Sequence, residues 1–182
     1  MSRKKNAIIS VFDKTNLSNI ANFLVKKNFT IYSTGGSSQY LKKLNIPHVE
    51  ISNYTKQKEI LGGRVKTLHP KIFGGLLGTD SSSHQAELKK EKIINFDVLI
   101  INLYPFANTV RNTKNSDKII EMIDIGGHSL IRAAVKNYKK TVPIVDPMDY
   151  QSFIKNFPRT GISKKKYAIK AIQKITEYDV SI

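Results

Sequence analysis

Residues 97–106 decide the fold, and they read Asp97-Val98-Leu99-Ile100-Ile101-Asn102-Leu103-Tyr104-Pro105-Phe106. The run from Val98 to Ile101 is continuously apolar, which predicts a strand buried on both faces of a parallel sheet. Asn102 and Tyr104 follow at the carboxyl end of this strand. Ligands of open α/β sheets bind beyond the carboxyl ends of the strands, so we expect the site here.

Strands and helices alternate along the rest of the chain. The expected strands are 6–12, 29–33, 47–51, 97–103 and 141–145, and the expected helices are 15–27, 36–45, 83–93, 115–123, 128–138, 147–157 and 163–177. Residues 53–82 are expected to be mostly loop. This order predicts a three-layer α/β/α fold with a mainly parallel central sheet. A chain of 182 residues is long enough for one domain with a sizeable core, which we assign to residues 1–182.

Two loops carry the features of an anion site. The second strand ends in Ser33-Thr34-Gly35-Gly36, directly before a helix. The first N–H groups of a helix bind anions, and glycines let the backbone approach closely. An ordinary Ser or Thr helix cap is the alternative. The segment 62–70 then presents Arg64, Lys66 and Thr67 between a Gly pair and a Pro, which indicates a rigid loop suited to phosphate.

A further candidate segment runs from Ile123 to Asn137. Asp124 precedes Gly126-Gly127, and an Ala-rich helical pattern follows and ends near Lys136. A carboxylate at a helix start and a cation in its last turn are also what the helix dipole favours. The segment therefore supports either a functional pair or two ordinary helix-end residues.

Composition limits the classes of protein to consider. The net charge of +16 raises nucleic-acid binding as an alternative. The basic residues are mostly scattered Lys pairs, so we favour a solvated surface that attracts anionic substrates. The absence of Cys excludes disulfides and thiolate metal sites, and the four His residues lack metal-ligand spacing. No apolar run could span a membrane and no signal peptide begins the chain, so we expect a cytoplasmic protein.

Together these segments resemble the IMP cyclohydrolase domain of the bifunctional purine biosynthesis family, which joins it to AICAR transformylase on a methylglyoxal-synthase-like fold. The resemblance is carried by Ile9–Thr15, Ser33–Gly36, Arg64–Pro70, Asn102–Phe106, Asp124–Gly127, Arg132–Asn137 and Tyr178-Asp179. It implies dehydrative closure of the nucleotide FAICAR to IMP, a homodimer, and no metal or organic cofactor. It also implies that the transformylase domain is absent, in an excised domain or a monofunctional form.

The resemblance also implies residue roles. Lys136 would transfer the proton, coupled to Asp124, while Lys66 would polarise the formyl oxygen and Tyr104 would join the proton relay. The implied substrate contacts are Phe12, Asp13, Lys14, Ser33, Thr34, Gly35, Gly36, Arg64, Val65, Thr67, Ile101, Asn102, Ile125 and Gly126.

Three positions depart from the family pattern. The family often has Ser at the place of Phe12, His at Phe73 and Pro at His128. The Ser at the first position would add a phosphate donor, so the phosphate cradle of this chain differs there. We expect His128 to face solvent at the helix start rather than to enter the base pocket.

The spacing of Asp124 and Lys136 creates a geometric tension. On a helix from about residue 128, Lys136 lies roughly 12 Å along the axis. Either the Gly126-Gly127 turn folds Asp124 back beside the helix, or Lys136 serves the site of another subunit.

Two alternative functions share the fold. One is a methylglyoxal-synthase-like lyase that uses carboxylate bases, and the other is a regulatory module that binds a nucleotide without chemistry. Neither explains Lys66, Tyr104, Asp124 and Lys136 together.

Overall fold

The computed structural model describes residues 4–157 and 161–182. Its strands are β1 (Lys5–Val11), β2 (Phe29–Ser33), β3 (Val49–Glu50), β4 (Val98–Asn102) and β5 (Val142–Ile144). They form one sheet in the order β3-β2-β1-β4-β5, and every neighbouring pair runs parallel. The predicted central strand and parallel sheet are therefore confirmed.

Helices follow the strands on both faces of the sheet. Those in the described residues are α1 (Leu17–Lys26), α2 (Gly35–Lys43), α3 (Ile51–Thr55), α4 (Pro70–Leu77), α5 (Ser82–Lys90), α6 (Phe106–Asn112), α7 (Ser116–Glu121), α8 (Ile125–Lys136), α9 (Tyr150–Asn156) and α10 (Gly161–Ser181). None of these helices in residues 4–157 and 161–182 combines the length and apolar character needed to cross a bilayer.

The core lies in two layers, because side chains of a strand alternate between its faces. Ile9 and Ile100 point into a layer with residues of α1, α2 and α9, whereas Ile8 and Leu99 point into one with α4 and α8. All four strand side chains are fully buried. The three-layer α/β/α fold predicted from the sequence is confirmed.

The expectation of a mostly open loop over residues 53–82 is wrong. Helix α4 begins at Pro70, a residue whose fixed φ suits the first helical position. The side chain of His69 caps this helix, because its Nδ1 accepts a hydrogen bond from the Lys71 N–H at 3.1 Å. Gly74 and Gly75 lie inside α4 rather than in a loop. They were misleading because glycine normally interrupts a helix.

The chain reverses its direction of travel across the sheet at β1. Strands β2 and β3 extend the sheet on one side of β1, whereas β4 and β5 extend it on the other. The carboxyl ends of β1 and β4 thus flank a topological switch point, where the connecting loops diverge and leave a crevice.

Gly75 allows α4 to approach the segment before β4. A methyl group at Gly75 would collide with the Ile94 carbonyl oxygen and would lie 2.7 Å from the Phe96 ring. The Phe96 N–H also donates to the Gly75 carbonyl at 3.0 Å. Neither neighbour is the free end of a flexible side chain, so the helix itself must move if the glycine is replaced.

We therefore expect Gly75→Ala to lower the free energy of unfolding by about 1–3 kcal/mol, through overpacking. Gly74→Ala is the matched control on the same helix. There the methyl group would meet the end of Ile93 at 3.1 Å, and a gain in helix propensity of about 1 kcal/mol offsets the contact. Urea unfolding measures both variants. Equal midpoints would contradict the packing argument.

Candidate active site

A cavity of about 620 Å³ opens at the carboxyl ends of β1 and β4. Thirteen of the eighteen residues predicted for the site line it: Phe12, Lys14, Thr34, Gly36, Arg64, Lys66, Thr67, Ile101, Asn102, Tyr104, Asp124, Ile125 and Gly126. The other five, which lie outside this lining, are Asp13, Ser33, Gly35, Val65 and Lys136. Most of the separate sequence segments therefore converge on one space.

The Ser33–Gly36 turn forms one end of the cavity. Gly35 has φ of +55°, a conformation that favours glycine, and α2 begins there. Within the described part of the chain, Thr34 gives α2 no side-chain cap, so the ordinary helix-cap alternative is wrong. Its hydroxyl donates instead to Glu59 Oε1 at 2.7 Å.

Two ammonium groups lie beside this turn. A Cβ atom built on Gly35 would be 3.3 Å from Lys66 Nζ, and one built on Gly36 would be 3.7 Å from Lys14 Nζ. The positive end of α2 and these cations together make a site for an anion such as a phosphate group. Side chains at either glycine would occupy the space next to the cations.

Ser33 supports the turn from the protein interior and is not part of the cavity lining. It is fully buried, and its hydroxyl donates to the Ile9 carbonyl at 2.8 Å. Ser37, which the sequence analysis did not select, lines the cavity and bonds both backbone groups of Val11. These two hydroxyls join the turn to β1.

The basic loop (residues 62–70) forms the rim of the cavity. Its Leu61–Gly63 turn needs positive φ at all three residues, and an isolated bridge between Ile60 and Val65 closes it. The exposed Arg64 guanidinium pairs with Glu121 at the end of α7, with Nη2 and Oε2 2.5 Å apart. This pairing lowers the pKa of Glu121. It links the basic loop to α7 across the mouth of the cavity.

Asp124 supplies a carboxylate to the lining of the cavity. It caps α8, where Oδ1 accepts a hydrogen bond from the Gly127 N–H at 2.6 Å. Burial raises the pKa of Asp124, while the Gly127 N–H, Lys66, His128 and the Tyr104 N–H act in the opposite direction. The carboxylate is therefore both a helix cap and a shielded group beside a cation, which is typical of proton-transfer sites.

Two aromatic rings and an amide, those of Phe12, Tyr104 and Asn102, also line the cavity. The Phe12 and Tyr104 rings meet edge to face at 5.6 Å, so the departure at Phe12 adds an apolar wall. Asn102 Oδ1 accepts from the Phe12 and Asp13 N–H groups at 2.7 and 2.9 Å. Its Nδ2 donates to the Asp13 carbonyl at 3.0 Å. Asn102 thus fastens the ends of β1 and β4 together.

Residues 16–129 match the family model described as MGS-like domain. The chain belongs to the MGS-like domain family.

Curated relatives agree with this assignment. The chain is 45% identical over 179 residues to "Bifunctional purine biosynthesis protein PurH" of Buchnera aphidicola (strain Tuc7), covering 96% of the chain and 34% of that protein. It is 42% identical over 184 residues to the protein of the same name from Fusobacterium nucleatum, covering 98% of the chain and 36% of the relative. The chain thus spans about a third of the length of these relatives. The resemblance to the bifunctional family is confirmed.

A solved structure supports the fold over nearly the whole chain. The crystal structure of ForH superposes with a TM-score of 0.87 at 26% sequence identity. The match covers 97% of this MGS-like chain and 94% of ForH.

Lys136 lies away from the cavity of its own chain. Asp124 caps the first turn of α8, and Lys136 is exposed in its last turn. Twelve residues at 1.5 Å each put their backbones about 18 Å apart. The idea that the Gly turn folds Asp124 back beside the helix is therefore wrong.

The structure corrects the expectation for His128. Its side chain is only 20% exposed and its Nε2 pairs with Asp179 of α10, 2.9 Å from Oδ1. It therefore faces α10 rather than solvent. The Asp179 partner is fifty-one residues away in sequence, so local sequence could not reveal the pair.

Other residues of the site also escaped the sequence analysis. Glu59 and Glu121 hold Thr34 and Arg64, and Ile120 and Ile123 add apolar lining. The partners in these two contacts are 25 and 57 positions apart in sequence, so neither contact leaves a periodic or motif signal.

The Lys66 charge next to Asp124 leads to a measurable expectation. We expect Lys66→Met to raise the pKa of the Asp124 carboxyl further, because a nearby cation that favours the ionised form is removed. Lys14→Met is the matched control, since Lys14 lines the cavity but is not among the groups acting on Asp124. Carboxyl NMR titration, assigned with Asp124→Asn, measures both. A pKa that moves equally in both variants would refute the local pairing.

Proposed function

We propose that this MGS-like domain acts in purine biosynthesis and closes the ring of FAICAR to give IMP. The supporting observation is the cavity itself, whose lining combines an anion-binding glycine turn, a shielded carboxylate and an ammonium group that acts on that carboxylate. Relatives named as bifunctional purine biosynthesis proteins support the same role. We propose only the ring-closing step, because the match lies within about a third of their length.

The reaction sets clear chemical demands. The carboxamide nitrogen attacks the formyl carbon, so an N–C bond forms and this nitrogen loses one proton. The formyl oxygen becomes an oxyanion, takes up two protons and leaves as water when its C–O bond breaks. The formamide nitrogen gives up its proton in that step as a C=N double bond forms. A base, a cation near the oxygen and an acid are therefore needed. Both reacting groups sit on one substrate, so the site only has to hold them in a productive conformer.

The residues of the cavity meet these demands in the proposed roles. Lys66 stabilises the developing oxyanion, and Tyr104 takes part in the proton relay. Asp124 is coupled to the proton-transfer residue Lys136. Burial raises the pKa of Asp124, which makes its carboxylate a better proton acceptor than an exposed one.

Binding would divide between two sets of residues. Lys14, Thr34, Gly35, Gly36, Arg64 and Thr67 hold the phosphate and ribose, with Ser33 and Val65 as backbone support. The base lies near Phe12, Ile101, Asn102, Ile125 and Gly126, with Asp13 holding the loop after β1 by accepting from the Thr15 N–H at 2.8 Å. No metal or organic cofactor enters this chemistry.

Lys136 acts from a second copy of the chain in this proposal. Its exposure and its distance of about 18 Å from Asp124 along the α8 axis leave a partner subunit as the way to bring the two together. A two-fold homodimer would supply one Lys136 to each site. A cytoplasmic location is part of the same proposal.

Activity is the primary test. We expect the wild type to convert FAICAR to IMP, followed by ultraviolet absorbance, and Lys66→Ala or Lys136→Ala to lower kcat by about 100-fold or more, the typical contribution of one such group. Lys89→Ala, an exposed lysine of α5, is the control. IMP binding without turnover would favour a regulatory module. Turnover of a triose phosphate would favour a lyase, and salt-sensitive nucleic-acid binding a third function.

Mixed subunits test the origin of Lys136. When Lys66→Ala and Lys136→Ala chains are unfolded and refolded together, half of the dimers are mixed. If Lys136 serves the partner's site, each mixed dimer has one intact site, whereas if it serves its own site, both sites are defective. Recovery of about a quarter of wild-type activity is expected. A mixture of Lys66→Ala and Asp124→Asn is the control. Both residues line the cavity of the same chain, so each mixed dimer has two defective sites and no activity should be recovered.

A second mixture also tests which subunit supplies Lys136 to each site. It combines the double variant Lys66→Ala/Lys136→Ala with the wild type. If Lys136 serves the partner's site, both sites of each mixed dimer lose one essential lysine and activity falls to the wild-type dimers alone. If Lys136 serves its own site, each mixed dimer keeps one intact site. The two arrangements predict about a quarter and about a half of wild-type activity.

A further inference from the structure

The last turn of α10 contacts the turn that carries Asp124. The Tyr178 hydroxyl accepts a hydrogen bond from the Asp124 N–H at 2.7 Å and donates one to the Met122 carbonyl at 2.7 Å. Its ring packs edge to face on Phe106 at 6.2 Å, and the residue is 9% exposed. The single Tyr178 hydroxyl therefore hydrogen-bonds the backbone on both sides of Ile123.

A second contact holds the same region. Asp179, the next residue of α10, pairs with His128 in the first turn of α8. Helix α10 thus contacts the start of α8 on both sides of the Asp124 cap, through Tyr178 at Met122 and through Asp179 at His128. Tyr178 is outside the lining of the cavity, whereas Asp124 is part of it, so Tyr178 would act on the chemistry through the turn that carries Asp124.

We infer that Tyr178 is a positioning residue for the ring-closing reaction, with its hydroxyl fixing the turn at 122–124 so that the Asp124 carboxylate faces the cavity. This inference rests on the proposed function. Without the hydroxyl, the Asp124 N–H and the Met122 carbonyl lose their partner in a part-buried place, and the turn must open to water to satisfy them.

Opening the turn changes the environment of the carboxylate. The groups that face Asp124 are Lys66 of the basic loop, the Tyr104 N–H after β4, the Gly127 N–H and His128 of α8, and Tyr178 of α10. Burial raises the pKa of Asp124, whereas Lys66, His128 and the two N–H groups act in the opposite direction. Water that enters beside the carboxyl lowers this pKa towards its ordinary value.

Tyr178→Phe is the direct test, because it keeps the ring and removes both hydrogen bonds. We expect kcat for FAICAR closure to fall about tenfold, with KM within about threefold of wild type, since the phosphate and base contacts remain. The acid limb of the kcat–pH profile should move to lower pH. Tyr167→Phe is the matched control, because Tyr167 is an equally buried tyrosine of α10 whose hydroxyl bonds Ser152 instead.

A titration separates this inference from the proposed function. The carboxyl pKa of Asp124, measured by NMR without substrate, should be lower in Tyr178→Phe than in wild type and unchanged in Tyr167→Phe. If wild type lacked ring closure, the proposed function would fail while this measurement still judged the positioning of Asp124. An Asp124 pKa and kcat equal to those of the control would overturn the inference.

A measurement on the wild type covers the case in which Tyr178→Phe does not fold. The Asp124 amide should resist hydrogen exchange as strongly as the amides in the middle of α8, because the Tyr178 hydroxyl accepts from it. An Asp124 amide that exchanges as fast as the exposed amides of the Leu61–Gly63 turn would also overturn the inference.

Discussion

The site depends on the parallel pairing of β1 with β4, which side chains fix at both ends. At the start, the Asp97 carboxylate accepts from the Asn6 N–H at 2.9 Å, and Asn6 Nδ2 donates to the Asn95 carbonyl at 2.9 Å. At the end, Asn102 bonds the backbone of the segment after β1. The sheet continues in opposite directions from this pair, so the cavity opens where the two strands finish. Every loop of the site is placed relative to this fixed pair.

Charge within the cavity is more instructive than the overall charge of +16. Arg64 is paired with Glu121 at the exposed rim, which reduces its contribution to the field inside. Lys66 and Lys14 instead lie beside the glycine turn where α2 begins. The site therefore gathers positive charge at the glycine turn, and one of these cations, Lys66, also acts on the shielded carboxylate of Asp124. That combination suits a substrate that carries both an anionic group and a group that loses a proton.

Hydrophobic runs predicted the sheet and most helices, because β1 and β4 are buried on both faces and contain few polar residues. They could not predict α4, since Pro70, Gly74 and Gly75 have the composition of a loop. The reason for Gly75 lies in the close approach of Phe96, twenty-one positions later in the chain, and only packing reveals it. Motifs predicted the lining of the cavity, whereas the supporting contacts of Glu59, Glu121 and Tyr178 join distant segments and have no local signature.

Helix α8 shows how structural and functional demands can be separated. A carboxylate at its start and a lysine in its last turn both suit the helix dipole, so their positions alone decide nothing. An exposed cap would satisfy Asp124 without cost, because hydrogen bonds and cations favour its ionised form. Its burial raises the pKa instead and so opposes the capping interaction. A residue held against its own preference is better explained by chemistry than by helix stability. Lys136 lies exposed in the last turn and carries no such conflict, so its position is the one that helix stability alone would give it.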